Sequence, residues 1–156
     1  MEKNITIKYE HIPTVKSLSD TDQKLIKEAE KAVKNAYAPY SKFEVGAAVL
    51  LDNGEVVIGN NQENIAFPSG LCAERVALFA AGANYPNQEV VKLAIASKGD
   101  LVDKDQFLSP CGACRQVMAE VSMRQDKSFE IMILNNDGSI LIFKEIKDLL
   151  PFIFGQ

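Results

Sequence analysis

Apolar residues recur every three to four positions between residues 20 and 37, a period typical of an amphipathic helix. Ser19 followed by Asp22 resembles the capping box that begins such a helix. Ala38-Pro39 ends it, because the residue before a proline is pushed out of the α region. We therefore predict a first helix over residues 20–37.

Shorter apolar runs after this helix predict the remaining elements. The predicted strands are 45–51, 56–58, 90–97, 129–134 and 139–143, and the predicted helices are 72–81, 111–121 and a short 146–150. Asn53-Gly54, between the first two strands, is a strong hairpin signal. The order α-β-β-α-β-α-β-β-α indicates an α/β fold with helices on both faces of a five-stranded sheet.

No internal repeat, low-complexity tract or linker divides the 156 residues, so we predict a single domain over 1–156 with 1–18 as an irregular or extended N-terminal arm. The net charge is −4 and no run of Lys and Arg exceeds two residues, so we expect no nucleic-acid partner. No apolar stretch approaches the roughly 18–20 residues needed to span a bilayer, and the N-terminus lacks the apolar core of a signal peptide. We therefore expect no membrane partner, and we expect the protein to be cytoplasmic.

The chain contains three cysteines: Cys72, Cys111 and Cys114. An odd number suits a reducing compartment better than a disulfide framework. Each lies at the predicted start of a helix, where unpaired N–H groups and the helix dipole lower the pKa of a thiol. Three thiolates brought together would repel one another, and a Zn²⁺ ion would relieve that repulsion. The cysteines therefore predict a zinc site.

Zinc takes four ligands, and the single histidine, His11, lies far along the chain from the cysteines. If His11 stays away, the fourth position is open to water, which is typical of a catalytic zinc. Three thiolates weaken the metal as a Lewis acid, and Arg75 and Arg115, which flank the ligands, can offset that charge through hydrogen bonds to sulfur. The alternatives are a structural zinc closed by His11, a redox-active C-x-x-C pair, and two arginines in ordinary surface salt bridges.

Glu74 follows Cys72 by two residues, so in the first turn of a helix the two side chains point in different directions. Glu74 need not bind the metal but can reach a water molecule bound to it. A carboxylate there can take a proton from that water and pass it to a leaving group, as a general acid–base does. The alternative is a glutamate that merely stabilises the helix N-terminus.

The chain resembles the small, homotetrameric class of zinc-dependent cytidine deaminases from about residue 36 to residue 155. The motifs that carry the resemblance are Tyr37-Ala-Pro-Tyr-Ser-Lys-Phe43-Glu-Val-Gly-Ala-Ala48, Asn61-Gln-Glu63-Asn64, Cys72-Ala-Glu-Arg75 and Pro110-Cys-Gly-Ala-Cys-Arg-Gln-Val117. The zinc deaminases pair a P-C-x-x-C motif with a glutamate that does not bind the metal. The resemblance implies a three-layer α-β-α sandwich around a five-stranded mixed sheet.

The resemblance also implies a role for each matching residue. Zinc is bound by Cys72, Cys111 and Cys114, and Glu74 is the proton shuttle. The nucleoside is bound through the hydroxyls of its sugar by Asn61 and Glu63, through aromatic packing by Phe43 and through the backbone of Ala73. Phe154 reaches into the active site of a neighbouring subunit. The implied activity is hydrolysis of free cytidine and 2′-deoxycytidine to uridine and 2′-deoxyuridine with release of ammonia, a reaction of pyrimidine salvage.

The sequence departs from the pattern of the resembled class after Asn64, where many members have Ala-Ser or Ala-Cys followed by Tyr-Pro and this chain has Ile65-Ala66-Phe67-Pro68. Ile65 is larger than the usual alanine. Phe67 lacks the hydroxyl that the tyrosine offers to the sugar. Three rival functions remain at this point. They are a blasticidin-type aminonucleoside deaminase with the same metal site, a deaminase of RNA or DNA, and a non-catalytic zinc-containing binding module.

Overall fold

The computed structural model describes residues 1–103 and 106–155, which contain three helices and six strands. The helices are α1 (Asp20–Val33), α2 (Ala73–Asn84) and α3 (Gly112–Arg124). The strands are β1 (Glu10–Ile12), β2 (Glu44–Leu51), β3 (Val56–Asn60), β4 (Val90–Lys98), β5 (Glu130–Leu134) and β6 (Ile140–Phe143). Single turns of 3-10 helix occupy Val15–Ser17, Phe67–Ser69 and Ile146–Asp148.

The strands form one mixed sheet in the order β1-β6-β5-β4-β2-β3. The pair β4–β5 is parallel, and every other neighbouring pair is antiparallel. A parallel pair needs a crossover connection, and α3 lies between β4 and β5 in the chain. The predicted fold class, an α/β sandwich around a mixed sheet, is therefore confirmed.

The predicted number of strands, five, is wrong by one. The sixth strand, β1, lies within the predicted N-terminal arm and pairs antiparallel with β6, so that His11 is opposite Leu141. A segment of three residues is too short to show a reliable alternation of apolar and polar positions. Its strand conformation depends on the edge that β6 offers for pairing.

Helices cover both faces of the sheet. On one face α1 packs against small and aliphatic residues, and the buried residues of this layer include Leu25, Ile26, Ala29, Ala48, Ala94 and Ile142. On the other face lie α2 and α3, and the buried residues there include Ala77, Leu78, Met118, Val49, Leu93 and Ile131. Successive side chains of a strand point to opposite faces, so Ala48 and Ala94 belong to the first layer, whereas Val49 and Leu93 belong to the second.

Two glycines allow the helices to lie directly on the sheet. A Cβ added to Gly46 in β2 would lie 2.1 Å from the carbonyl oxygen of Ala29 in α1. A Cβ added to Gly59 in β3 would lie 2.4 Å from the backbone nitrogen of Ala77 in α2. Each glycine therefore sets how closely its helix approaches the sheet.

The helix boundaries differ from the predicted ones for reasons that lie partly outside each helix. Ser19 caps α1 as predicted and accepts a hydrogen bond from the backbone N–H of Asp22 at 3.2 Å. The helix ends at Val33, before the predicted end, because the backbone N–H of Tyr37 donates to Asn61 instead of continuing the helix. The predicted last helix is a single 3-10 turn. Among the described residues, no helix has the length and apolar content needed to cross a membrane.

Candidate active site

The loops that carry the candidate chemistry meet at one edge of the sheet because of the strand directions. Both β3 and β4 pair antiparallel with β2, so they run parallel to each other. Their carboxyl ends therefore lie at the same edge, where one leads towards α2 and the other towards α3. The first residue of β2 lies at this edge as well and brings the loop of residues 38–43 with it. Loops beyond the carboxyl ends of parallel strands are common ligand sites in α/β proteins.

Backbone pairing at Gln62 joins two of these loops. The N–H of Gln62 donates to the carbonyl of Leu71 at 2.9 Å, and Leu71 returns a bond of 3.0 Å. On the other side, the N–H of Tyr37 donates to Asn61 at 2.9 Å and that of Glu63 to Tyr37 at 2.8 Å. The segment after β3, predicted as a loop, is thus held between the end of α1 and the start of α2.

The three cysteines lie at the first turns of α2 and α3. Cys72 and Cys111 are the N-cap residues of the two helices, and Cys114 lies in the first turn of α3 with none of its surface exposed. Helix N-termini stabilise negative charge through their unpaired N–H groups and the helix dipole. The placement of all three thiols at helix starts, predicted from the sequence, is confirmed.

The spacing of the three sulfurs fits a zinc ion. The sulfur of Cys111 lies 3.7 Å from that of Cys72 and 3.5 Å from that of Cys114. All three lie within 4.8 Å of one another. Zinc–sulfur bonds of about 2.3 Å in a tetrahedron place neighbouring sulfurs about 3.8 Å apart. The cluster therefore matches three corners of a zinc tetrahedron.

Hydrogen bonds make the thiols of Cys72 and Cys114 unequal as acids. A hydrogen bond from Cys114, followed by one from Arg75, lowers the pKa of Cys72 to about 5. The same hydrogen bond to Cys72, together with burial, raises the pKa of Cys114. One thiolate therefore forms readily, whereas further ionisation puts like charges side by side. A divalent cation removes this penalty, which is the chemical basis for metal binding here.

The two arginines that flank the ligands have different partners. Nη2 of Arg75 lies 3.6 Å from the sulfur of Cys72. Arg115 donates instead to the carbonyl oxygen of Pro110 at 2.9 Å, to that of Leu149 at 2.6 Å and to the hydroxyl of Ser109 at 2.6 Å. All three of its guanidinium nitrogens are engaged in this way. Contact with sulfur is thus made by Arg75, while Arg115 joins the start of α3 to the C-terminal segment.

Glu74 lies beside the cysteines and is almost completely buried, with 5% of its surface exposed. Burial raises the pKa of its carboxyl to about 7, and the negative charge of Cys72 acts in the same direction. A carboxyl group with a pKa near neutrality can both accept and donate a proton under physiological conditions. The arrangement can therefore support general acid–base chemistry next to the three sulfurs.

A cleft of about 530 Å³ opens beside Cys72 and Arg75. Its size lies within the roughly 300–1,000 Å³ of small-molecule sites. The lining residues come from the loop of residues 38–43, the segment between β3 and α2, and the first turn of α2: Tyr40, Ser41, Asn61, Gln62, Glu63, Asn64, Phe67, Gly70, Leu71, Cys72 and Arg75. The two residues predicted to bind the sugar, Asn61 and Glu63, therefore share one cleft with a candidate metal ligand, Cys72.

The side chain of Asn61 also has a structural function. Its Oδ1 accepts a hydrogen bond from the N–H of Val45 at 2.8 Å, and its Nδ2 donates to the carbonyl of Phe43 at 2.8 Å. The amide thereby pairs with the backbone at the start of β2 and fixes the loop before it. One amide hydrogen and one lone pair stay available to a ligand.

The other residues predicted to bind the substrate do not line the cleft, as far as the described part of the chain shows. Phe43 and Ala73 are buried, with 9% and 0% of their surface exposed. Phe154 lies in the C-terminal segment with 88% of its surface exposed. Their predicted roles stay predictions.

His11 does not approach the cysteines. Within residues 1–103 and 106–155, the three cysteines are the one group of at least three side chains arranged to hold a metal. His11 is in β1, the outermost strand on the side of the sheet away from β3, and its ring centroid is 5.7 Å from that of Phe107. This arrangement argues against the alternative of a structural zinc closed by His11.

Ser41 and Gln62 also line the cleft, although no role was predicted for either residue from the sequence. Ser41 lies inside the motif between Tyr37 and Phe43, within the turn that begins at Pro39. A hydroxyl in such a turn was a usable signal, because serine often bonds neighbouring backbone groups. Gln62 acts through its backbone, for which a single sequence carries no signal.

Comparison with known proteins decides the family. Residues 19–127 match the family model described as "Cytidine and deoxycytidylate deaminase zinc-binding region". The chain belongs to the cytidine and deoxycytidylate deaminase family. The match spans α1 to α3 and includes all three cysteines and Glu74.

Members of this family from bacteria are similar over most of their length. The chain is 42% identical over 132 residues to a cytidine deaminase of Halalkalibacterium halodurans, covering 85% of this chain and 92% of that protein. It is 41% identical over 134 residues to a cytidine deaminase of Sporosarcina psychrophila, covering 86% and 91%. The crystal structure of cytidine deaminase from Burkholderia pseudomallei superposes with a TM-score of 0.72 at 37% identity, covering 84% of this chain and 97% of that one.

These matches confirm three predictions made from the sequence: the family, the deaminase class of enzyme and zinc as the cofactor. Residues 1–18 lie outside the matched family model. The strand β1, which forms the sixth member of the sheet, belongs to that segment.

Proposed function

We propose that the protein hydrolyses the amino group of free cytidine and 2′-deoxycytidine and releases ammonia, with uridine and 2′-deoxyuridine as products. The observation that carries the proposal is the buried Glu74 beside three sulfurs at zinc-binding distances. A cleft large enough for a nucleoside opens next to this group. Similarity to proteins named cytidine deaminase supports the choice of substrate.

Cys72, Cys111 and Cys114 hold the zinc in this proposal. Zinc, when bound, lowers the pKa of water to near 7 and so makes hydroxide available at neutral pH. Glu74 accepts the proton of the attacking water and delivers it to N3 of the cytosine ring as oxygen adds to C4. It then moves the hydroxyl proton of this adduct to the amino group, the C4–N bond breaks, and ammonia leaves. A pKa near 7 allows Glu74 both to accept and to donate a proton at neutral pH.

The remaining roles concern how the nucleoside is held. Asn61 and Glu63 bind the hydroxyls of the sugar, since a carboxylate accepts and an amide both donates and accepts hydrogen bonds. Ala73 is the first residue of α2, so its N–H has no partner within the helix and can contact the base. Phe43 packs against the nucleoside from the position just before β2.

Arg75 acts on the metal site and not on the nucleoside. It offsets the charge of the thiolates through its contact with the sulfur of Cys72.

We further propose a homotetramer with shared active sites, in which Phe154 of each subunit reaches the cleft of a neighbour. The exposed position of the Phe154 side chain supports this. The proposal also includes one domain over 1–156, a cytoplasmic location, a role in pyrimidine salvage, and free nucleosides rather than nucleic acid as substrates. The net charge of −4 supports the last point, because polynucleotides require basic surfaces.

An ultraviolet assay tests the function directly. Purified protein is mixed with cytidine, 2′-deoxycytidine, blasticidin S and a cytosine-containing oligonucleotide, with and without a zinc chelator. We expect turnover of the two free nucleosides, abolished by the chelator and restored by added zinc. Turnover of blasticidin S alone would replace the proposed substrate. Stoichiometric zinc with no release of ammonia from any compound would favour a binding module.

A further inference from the structure

The loop that forms one wall of the cleft contains a strained residue. Lys42 has a φ of +57°, a left-handed conformation that costs free energy for a residue with a side chain. Its N–H donates to the carbonyl of Ala38 at 3.1 Å, which closes a single helical turn. Such a conformation persists only where surrounding contacts stabilise it. In this loop, hydrogen bonds hold the backbone N–H groups of Ser41 and Phe43, the residues on either side of Lys42.

The hydroxyl of Ser41 has a defined orientation. Its oxygen accepts a hydrogen bond from the N–H of Phe43 at 3.1 Å, and its proton is donated to Oε1 of Glu63. The side chain therefore connects the backbone of the loop to a carboxylate 22 residues further along the chain.

Two backbone groups complete the shell of donors around Glu63. Its Oε2 accepts hydrogen bonds from the N–H of Tyr40 at 2.9 Å and from that of Ser41 at 3.2 Å. The hydrogen bond from Ser41 is the largest cause that lowers the pKa of this carboxyl below its ordinary value. A carboxylate offers about four lone-pair positions, so three donors leave one acceptor position.

We propose that Ser41 is a positioning residue that holds the Glu63 carboxylate, ionised and in one orientation, as the acceptor for a sugar hydroxyl of the substrate. The inference rests on the proposed function, in which Glu63 binds the sugar. Ser41, Tyr40 and Glu63 line the same cleft as Cys72, so the held carboxylate faces the substrate's site. An acceptor fixed in advance loses less entropy on binding than one that must be ordered by the ligand.

Steady-state kinetics with two substrates separate this role from a purely structural one. For Ser41→Ala we expect KM for cytidine to rise roughly tenfold, because Glu63 loses one hydrogen bond to its charged carboxylate. We expect kcat to change less than about twofold. For 2′,3′-dideoxycytidine, which lacks the 2′- and 3′-hydroxyls and keeps only the 5′-hydroxyl, we expect no change in KM relative to the wild type. A general loss of fold or of the metal site would impair both substrates alike.

Three further variants sharpen the test. Ser41→Thr keeps the hydroxyl and should restore KM for cytidine to within about twofold of the wild type. Ser41→Ala should add nothing to the effect of Glu63→Ala, because the two residues act as one unit. Ser17→Ala removes a hydroxyl from another exposed serine, in the 3-10 turn before α1, and serves as the matched control. Zinc content and melting temperature are measured for every variant.

The outcomes that would overturn the inference differ from those that would overturn the function. An unchanged KM for cytidine in Ser41→Ala, or an equal rise for cytidine and 2′,3′-dideoxycytidine, would remove the role of Ser41 while cytidine deamination stands. A wild-type protein that turns over no cytidine would overturn the proposed function and the role of Ser41 together.

Discussion

The side-chain amide of Gln116 makes two hydrogen bonds with the backbone of Phe154. Its Nε2 donates to the carbonyl of Phe154 at 2.7 Å, and the N–H of Phe154 donates to its Oε1 at 3.3 Å. Gln116 lies in α3, two residues after Cys114. The C-terminal segment is therefore attached to the helix that carries two of the three cysteines, while the aromatic ring of Phe154 is left exposed.

We expect Phe154→Ala to raise KM for cytidine roughly tenfold if the ring completes a neighbour's active site, since truncating an interface aromatic often costs about 1–2 kcal/mol. Gln116→Ala should shift KM in the same direction by a smaller factor, because the segment loses its attachment. Kinetics combined with sedimentation analysis measure both effects. Phe152→Ala is the matched control, since that ring is also exposed, at 83%. Equal effects of Phe152→Ala and Phe154→Ala would argue against a specific role for Phe154.

Glu74→Gln should lower kcat at least about 100-fold, because the amide has the shape of the carboxyl but cannot shuttle protons. The variant should keep its zinc, because the candidate metal ligands are the three cysteines and Glu74 is not one of them. Metal analysis and the ultraviolet assay on the same sample check both statements. Near-normal turnover would show that another group moves the proton.

Cys111→Ala should lose both zinc and stability. Two sulfurs would remain of a cluster whose spacings of 3.5 and 3.7 Å both involve Cys111. Because bound zinc stabilises the folded state over the unfolded state, the melting temperature of the wild type should fall on chelation, whereas that of the variant should be insensitive to the chelator. Calorimetry with and without chelator makes the measurement. Stoichiometric zinc in the variant would show that a different set of ligands binds the metal.

The two arginines beside the cysteines should give different phenotypes on replacement. Arg75→Ala removes the contact to the sulfur of Cys72, so zinc affinity or activity should fall roughly 10- to 100-fold. Arg115→Ala removes three hydrogen bonds to Pro110, Leu149 and Ser109, so it should lower thermal stability more than zinc affinity. Competition with a zinc indicator dye and thermal melts separate the two. Identical profiles would contradict the assignment.

The ion pairs of Lys92 in β4 should make the stability of the fold depend on pH. It lies 2.6 Å from Asp22 and 3.0 Å from Glu130, and its side chain is 23% exposed. Burial acts to lower its pKa, but the hydrogen bonds to the two carboxylates outweigh burial and raise the pKa above 10.5. A raised pKa stabilises the fold fully below the unfolded-state value, and the contribution is lost as pH rises through the folded-state value.

Lys92→Met should therefore lower the free energy of unfolding by roughly 1–2 kcal/mol at neutral pH, less than for a fully buried pair. The difference from the wild type should begin to shrink above about pH 10.5, where the lysine of the unfolded chain loses its charge, and should disappear once the pH passes the raised pKa of the folded state. Denaturant unfolding at several pH values measures it. Lys127→Met is the control, because Lys127 pairs with Glu89 at a site where the side chains are 61% and 40% exposed, so its loss should have little effect. Equal effects of the two variants would contradict the prediction.

Local patterns predicted much of the fold. The period of apolar residues predicted the α/β class, and Ser19 predicted the start of α1. Non-local contacts decided the differences. Because β1 forms only against β6, the sixth strand could not be predicted from three residues of sequence. The end of α1 depends on Asn61, which is remote from it in the chain.

The candidate site divides in the same way. Cys72, Cys111, Cys114 and Glu74 were found from the sequence, because helix starts and short spacings are local features with a direct chemical meaning. The hydrogen-bond partners of Arg115 and the hydrogen bonds around Glu63 could not be found from the sequence, because each depends on segments that the sheet brings together.

The sequence by itself determined the chemical groups: three thiols at helix starts, a glutamate beside them, and the polar segment after β3. Only the tertiary structure decided their geometry, because β3 and β4 both pair antiparallel with β2 and so bring two helix N-termini to one edge. Strand pairing joins residues distant in the chain, so a periodic pattern of apolar positions specifies which elements form but not which loops meet.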